Sequence, residues 1–347
     1  MDKNDIATAA SILLSIISIY NKKSIFTALF LPQILSHKYI HMKKNKSTIK
    51  IFGLSLLVSL VSVPSLLRAL DLGVMKPAAT LKYFSEKKVA FKDTIIRSGG
   101  RSMRFVCTGN DTMPVMFFIH GSPGAWSDYR DYLTDSNLLK NYYMISADRP
   151  GYNGSIGEGV ATLQEQSNTL QGMFRLRRNN KPVIVVGHSY GGAVSVKFTI
   201  DNRDRISNLI MISPCLAPDV EQNIHWKRTL QKLSKTTVGE YITPAFLKKS
   251  TKEMQPLPDE VRKMEKDYAL LTVPILEIHG TWDMMAPYGN LTYIEKSFPN
   301  SRVHTITFKN KNHKIVYTMP KVMIGLMMKE LGEHAAEIPV NQLADNH

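Results

Sequence analysis

Three residue types, in one chain order, could together carry out acyl transfer. Ser189 stands in Gly187-His188-Ser189-Tyr190-Gly191-Gly192, Asp283 in Gly280-Thr281-Trp282-Asp283, and His313 in Asn310-Lys311-Asn312-His313. A serine hydroxyl is a poor nucleophile near neutral pH. It needs a base within hydrogen-bond reach, and the base needs a carboxylate to orient it. His313 is the candidate base and Asp283 the candidate acid. The tetrahedral oxyanion formed by attack also has to be stabilised, commonly by two backbone N–H groups. Tyr190, which follows the serine, offers one. Ser122 offers the other from His120-Gly121-Ser122-Pro123-Gly124, where Gly121 and Gly124 let the backbone come close.

Other titratable residues compete for these roles. His188 adjoins Ser189 in sequence, so its side chain is expected to point away from the nucleophile. His279 lies at the end of a strand and reads as structural. His304 lies within a strand, and Asp219 lies outside any recognisable acid turn. His37 and His41, spaced i, i+4, read as incidental. No zinc, calcium, Walker or dinucleotide motif is present, so no metal or organic cofactor is expected. Cys107 and Cys215 make neither a disulfide framework nor a metal spacing.

These residues need elements to position them. Val183 to Val186 are all β-branched and read as a buried strand. The Gly-His-Ser-Tyr-Gly-Gly break follows, and Ala193 to Ile200 resumes as a helix. Strand, tight turn and helix form the setting in which a serine at the apex is held strained and exposed. Gly187 and Gly191 are expected where strand and helix pack too close for side chains. Val115 to Ile119 is a second buried strand, ending at His120. Tyr143 to Ser146 is a third, ending at Asp148-Arg149-Pro150-Gly151-Tyr152-Asn153-Gly154-Ser155. Leu209 to Ile212, Ile275 to Ile278 and Arg302 to Phe308 supply more, and Val89 to Ile96 with Met103 to Thr108 reads as an antiparallel hairpin. Trp126 to Leu139, Ala161 to Arg178 and Tyr317 to Leu331 read as helices, the last with core methionines Met323, Met327 and Met328. Alternation of this kind implies a mostly parallel sheet with helices on both faces, and sites in such sheets lie at the carboxyl ends of strands. Each Gly-rich motif sits at such an end.

The alternation stops over residues 217–271, a polar, lysine-rich stretch expected to form a helical cap over the site. Residues 76–216 and 272–335 are then the core, and 336–347 a mobile tail. Residues 1–75 differ in kind. The net charge is +15, and the first hundred residues hold fifteen basic against five acidic residues. The rest is only mildly basic, which argues against a nucleic-acid surface. Ile51 to Leu67 is an uncharged run of 17 residues preceded by Lys43, Lys44, Lys46 and Lys50. It reads as a signal anchor with the lysines cytoplasmic and the main domain exported, periplasmic in a bacterium. Secretion after cleavage is the alternative, although no A-x-A site or lipobox cysteine follows. A start at Met42 would make residues 1–41 an untranslated extension.

Taken together, residues 85–333 resemble the α/β-hydrolase superfamily. His120 to Gly124 resembles its H-G-x-P-G loop. Asp148 to Ser155 resembles its D-x-x-G-x-G-x-S loop, with one extra residue between the glycines. Gly187 to Gly192 resembles its nucleophile elbow, and Gly280 to Asp283 with Pro287, and Asn312-His313, its acid and histidine turns. The resemblance implies an α/β-hydrolase fold and a Ser189-His313-Asp283 serine hydrolase acting on a small ester or a short peptide. Serine at position 189 argues against relatives with an aspartate nucleophile. A carboxylic ester is the expected substrate, and a proline iminopeptidase-like activity the first alternative. A non-catalytic binding protein on the same fold is a third reading. A C–C hydrolase or perhydrolase would use the same triad. The oligomeric state is not legible.

Overall fold

The computed structural model of the protein describes residues 75–224 and 245–332. The expected signal anchor at 51–67, the rest of residues 1–74 and the expected tail at 336–347 lie outside the described residues. Two units are distinguished: Met75–Asn223 with Lys249–His347, and Met1–Val74 with Ile224–Lys248. The second is described only at Ile224 and at Ala245–Lys248, which open a helix.

The apolar runs pair as their composition demands, since a central strand must bury both faces. The strands are β1 Phe91–Ser98, β2 Arg101–Thr108, β3 Val115–Ile119, β4 Tyr143–Ala147, β5 Val183–His188, β6 Ile206–Ile212, β7 Ile275–Gly280 and β8 Val303–Phe308. They form one sheet in the order β1-β2-β4-β3-β5-β6-β7-β8. The β1–β2 hairpin is antiparallel and β2 joins β4 antiparallel; every pairing from β4 to β8 is parallel. Every residue of β3, β4, β5 and β7 is buried.

The helices are α1 Pro77–Lys87, α2 Arg130–Leu133, α3 Ser136–Asn141, α4 Leu163–Leu170, α5 Tyr190–Asp201, α6 Pro218–Gln222, α7 Ala245–Met254, α8 Leu257–Glu265, α9 Gly289–Ser297, α10 Ile315–Thr318 and α11 Pro320–Glu330. Alternation along the strands sends neighbouring side chains to opposite faces. Val115, Phe117, Val183 and Val185 join one apolar cluster with residues of α4, α5, α8 and α9. Met116, Phe118, Ile184 and Val186 join a second with Phe84 of α1, Leu133 of α2, Leu138 of α3 and the buried methionines Met323, Met327 and Met328 of α11. Each fully buried branched side chain contributes about 1.5–3 kcal/mol.

Several elements differ from the sequence expectation. Trp126 to Leu139 is not one helix. A 3₁₀ turn over Trp126–Tyr129 leads into α2, and Asp135 starts α3 afresh by accepting from the Asn137 and Leu138 amides at 2.9 and 3.1 Å. Ala161 to Arg178 is helical only as α4 and a 3₁₀ turn over Gln171–Arg175. Pro320 splits the closing helix into α10 and α11, taking the first-turn position where its missing N–H costs nothing. Within the expected cap at 217–271 the described residues form helices α6, α7 and α8. Leu257, Val261 and Met264 of α8, and Leu271 beyond it, belong to the same apolar cluster as α5. Residues 225–244 lie outside the described residues. Among the described residues no helix is long and apolar enough to cross a membrane.

Candidate active site

Ser189 sits between β5 and α5 with φ 57° and ψ −126°. This is a conformation that a non-glycine residue holds only when its surroundings impose it. The surroundings are close backbone. A Cβ on Gly191 would collide with the carbonyl oxygens of Ile119 and His120, and one on Gly187 with Gly191 O and the Ser195 side chain. The elbow is therefore wedged against the end of β3 as well as its own strand. The Ser189 N–H donates to Ile212 O at 3.1 Å, which ties it to β6.

Asp283 and His313 meet across the ends of β7 and β8. His313 Nδ1 lies 2.7 Å from Asp283 Oδ2. Asp283 Oδ1 accepts from the Met285 and Ala286 amides at 2.9 and 2.8 Å. Burial works to raise the Asp283 pKa, but His313 and these donors prevail and hold it at about 2. The carboxylate is thus ionised, so His313 Nδ1 carries the proton and Nε2 is left as the basic nitrogen.

The His313 ring packs on His188, with ring centroids 4.7 Å apart, and His188 Nε2 lies 3.3 Å from His313 O. Burial, reinforced by neighbouring His313, holds the His188 pKa well below the usual imidazole value. His188 is thus a neutral wall against which the candidate base rests. Ser189 Oγ lies 3.7 Å from Cys215 Sγ, and among the described residues it has no hydrogen bond to His313. Such contacts often tighten only with substrate in place.

The loop after β3 runs beside the serine: a Cβ on Gly121 would lie 2.9 Å from Ser189 Cβ. His120 is fully buried, and its Nε2 accepts from the Arg149 N–H at 2.9 Å. That fixes the proton on Nδ1, which donates to Gly121 O at 2.7 Å. Burial, then the Arg149 charge, lowers the His120 pKa well below its ordinary value, in keeping with a neutral ring. Gly124 packs onto the same imidazole and leaves no room for a Cβ. The Ser122 N–H has no acceptor among the described residues, and the Tyr190 N–H opens α5.

The competing candidates lie elsewhere. His279 is fully buried between Glu277 Oε1 at 2.7 Å and Ala286 O at 2.8 Å, behind the acid turn. His304 is exposed and pairs with Glu330 at 2.7 Å. Asp219 is exposed and pairs with Arg262 at 2.8 Å. Cys107 and Cys215 are both buried, and no disulfide joins them. Among the described residues no group of histidine, cysteine or acidic side chains could hold a metal ion. Sequence reasoning missed one set: Arg149, Tyr152, Gln166 and Glu253 form a buried polar network against the loop after β3.

A family model described as alpha/beta hydrolase fold matches residues 114–249, which hold the loop after β3 and the elbow. Over those residues the chain matches the α/β-hydrolase family model, and its fold is that of the α/β hydrolases. It is 26% identical over 216 residues to Protein ABHD8 of Bos taurus, covering 52% of this chain and 48% of that protein. It is 24% identical over 226 residues to the pimeloyl-[acyl-carrier protein] methyl ester esterase of Proteus mirabilis, covering 56% of this chain and 84% of the esterase. The chain thus spans about half the length of the first curated relatives it matches. In fold it is similar to serine hydrolase CCSP0084 of Cycloclasticus zankles, with a TM-score of 0.55 at 17% identity over 70% of this chain and 98% of that one.

Proposed function

We propose that this α/β-hydrolase is a serine hydrolase that cleaves carboxylic esters through an acyl-enzyme. The observation that carries the reading is the Asp283–His313 pair at 2.7 Å, seated on His188 next to a serine held at φ 57°. Ser189 Oγ attacks the ester carbonyl as His313 Nε2 takes its proton. Asp283 keeps the imidazole in the required tautomer and stabilises the imidazolium. The Ser122 and Tyr190 amides receive the oxyanion; losing one such donor costs on the order of 10²–10³ in rate. His313 then protonates the departing alcohol, and a water repeats the sequence on the acyl-enzyme.

An ester is favoured over the amide of an N-terminal proline by the state of Glu253. An aminopeptidase needs an acid free to meet the substrate ammonium, and among the described residues Glu253 is not such an acid, both its oxygens being taken by Arg149, Tyr152 and Gln166. Residues 51–67 would hold the enzyme at a membrane with the catalytic domain outside the cytoplasm, which fractionation with protease protection tests. The chemical reading is tested by turnover of p-nitrophenyl esters of graded chain length beside a proline arylamide. Ester turnover abolished in Ser189→Ala, with the fold intact, is the expected result. Ester turnover unchanged in that variant, or turnover of the arylamide alone, would overturn the reading.

A further inference from the structure

Arg149 follows Asp148 at the end of β4 and is fully buried. A guanidinium out of water must be paired and hydrogen-bonded throughout, so its partners indicate its use. Nη1 and Nη2 donate to the two oxygens of Glu253 at 2.7 and 2.8 Å. The remaining reach goes to backbone: Nε donates to His120 O at 2.9 Å and Nη2 to Gly121 O at 2.7 Å. Glu253, itself buried on α7, also accepts from Tyr152 OH at 2.7 Å and from Gln166 Nε2 at 3.0 Å. One charge pair therefore ties α7 to the loop after β3.

The consequence for that loop is geometric. The Gly121–Ser122 peptide is trans, so its N–H points opposite to its C=O. The C=O is fixed from two sides, by Arg149 Nη2 and by His120 Nδ1, each at 2.7 Å. The Ser122 N–H is thereby turned away from Arg149 and left without an acceptor among the described residues. The Ser122 hydroxyl is anchored as well, to Ser250 Oγ of α7 at 2.8 Å. Helix α7 thus holds Ser122 twice, through its hydroxyl and through the peptide that aims its amide.

We propose that the buried Arg149–Glu253 ion pair positions the Ser122 amide for the oxyanion, so that α7 sets the reactivity of Ser189 through it. The inference rests on the acyl-transfer reading and adds to it two positioning residues that touch neither substrate nor reacting atoms. Without Glu253, Arg149 is a buried cation in need of another acceptor, and its hold on the two carbonyls loosens. Without Arg149, the Gly121 carbonyl loses the donor that sets its direction.

The test uses the full chain and three variants: Glu253→Gln, Arg149→Met, and the double variant Arg149→Met/Glu253→Leu. Each is assayed with p-nitrophenyl acetate, by thermal melting, and for affinity to a trifluoromethyl ketone that forms a tetrahedral adduct on serine. In Glu253→Gln and Arg149→Met, kcat is expected to fall by about 10–100-fold, a misaimed donor costing less than a deleted one. KM should stay within about threefold, and ketone affinity should fall in step with kcat/KM, as for an interaction made in the transition state. The double variant removes both buried charges, an exchange that is often neutral or stabilising. Its melting temperature should recover while kcat stays low. If kcat recovers with the melting temperature, or if the single variants leave kcat and ketone affinity unchanged, the pair is only structural and the inference is overturned. The wild type separates the two levels. A wild-type chain that neither turns over the ester nor binds the ketone refutes the acyl-transfer reading itself, whereas an active wild type with fully active variants refutes the positioning role alone.

Discussion

Asp283→Asn should separate what the acid does for the reaction from what it does for the fold. Asp283 Oδ1 accepts two backbone amides, so an asparagine would keep its carbonyl there and turn its NH₂ toward His313 Nδ1. That position now receives a proton from the histidine; the amide would offer one instead and push the imidazole into the other tautomer. In a serine-protease triad the equivalent change lowers kcat by about 10⁴, or about 5.5 kcal/mol of barrier, and a similar loss is expected here. The effect on stability follows from the acid's pKa, which is lowered from 3.8 to about 2 in the fold. At about 1.4 kcal/mol per unit, the ionised carboxylate contributes on the order of 2 kcal/mol. Because the folded value is the lower one, this contribution is fully present above the unfolded pKa and is lost as pH falls toward the folded one. The variant should therefore be less stable than wild type by about 2 kcal/mol at pH 7. The gap should close between pH 4 and pH 2, the window those two pKa values define. Urea unfolding at a series of pH values, beside ester kinetics, measures both. A variant within tenfold of wild-type kcat would refute the tautomer argument, and a stability gap that persisted at pH 2 would refute the electrostatic one.

Other substitutions probe the frame around the site. Ser189→Gly should abolish turnover yet raise stability by about 1 kcal/mol, since glycine occupies φ 57° without strain; a lower melting temperature would mean that the serine is not strained. Gly191→Ala should cost more than about 2 kcal/mol and disable the enzyme, because its Cβ would drive into the Ile119 and His120 carbonyls. Thermal melting reads this directly, and an unperturbed variant would contradict the close approach of elbow and β3. His304→Ala should leave kcat/KM within about twofold, because that exposed imidazole pairs with Glu330 on the edge strand β8, away from Ser189 and Asp283. A large loss would reopen the assignment of the base.

The strand ends were legible because the apolar runs of β3, β4, β5 and β7 stop at glycine-containing turns, and a parallel sheet places all such ends on one edge. That reasoning alone brought Ser122, Ser189, Asp283 and His313 toward one region. The helices were harder to bound. Asp135 sits inside an apolar pattern that looks continuous from Trp126 to Leu139, and its capping bonds to Asn137 and Leu138 outweigh that continuity. Helices α1 and α9 carry too weak a pattern to have been anticipated. The Arg149–Glu253 pair had no local signal at all. Glu253 stands among Lys248, Lys249 and Lys252 in a stretch that reads as a solvated face, and its partner lies 104 residues away. Only the fold shows that this one face of α7 is turned inward. Arg149 was in view within the Asp148 loop, but a charged loop residue reads as exposed until burial shows otherwise.

The most direct test of the central claim is covalent. The full chain would be treated with a fluorophosphonate and the adduct mapped by peptide mass spectrometry, with Ser189→Ala and His313→Ala alongside. A single adduct on Ser189, absent from the first variant and formed far more slowly in the second, is the result this account predicts. An adduct on another residue, or labelling of Ser189 at an undiminished rate without His313, would contradict it.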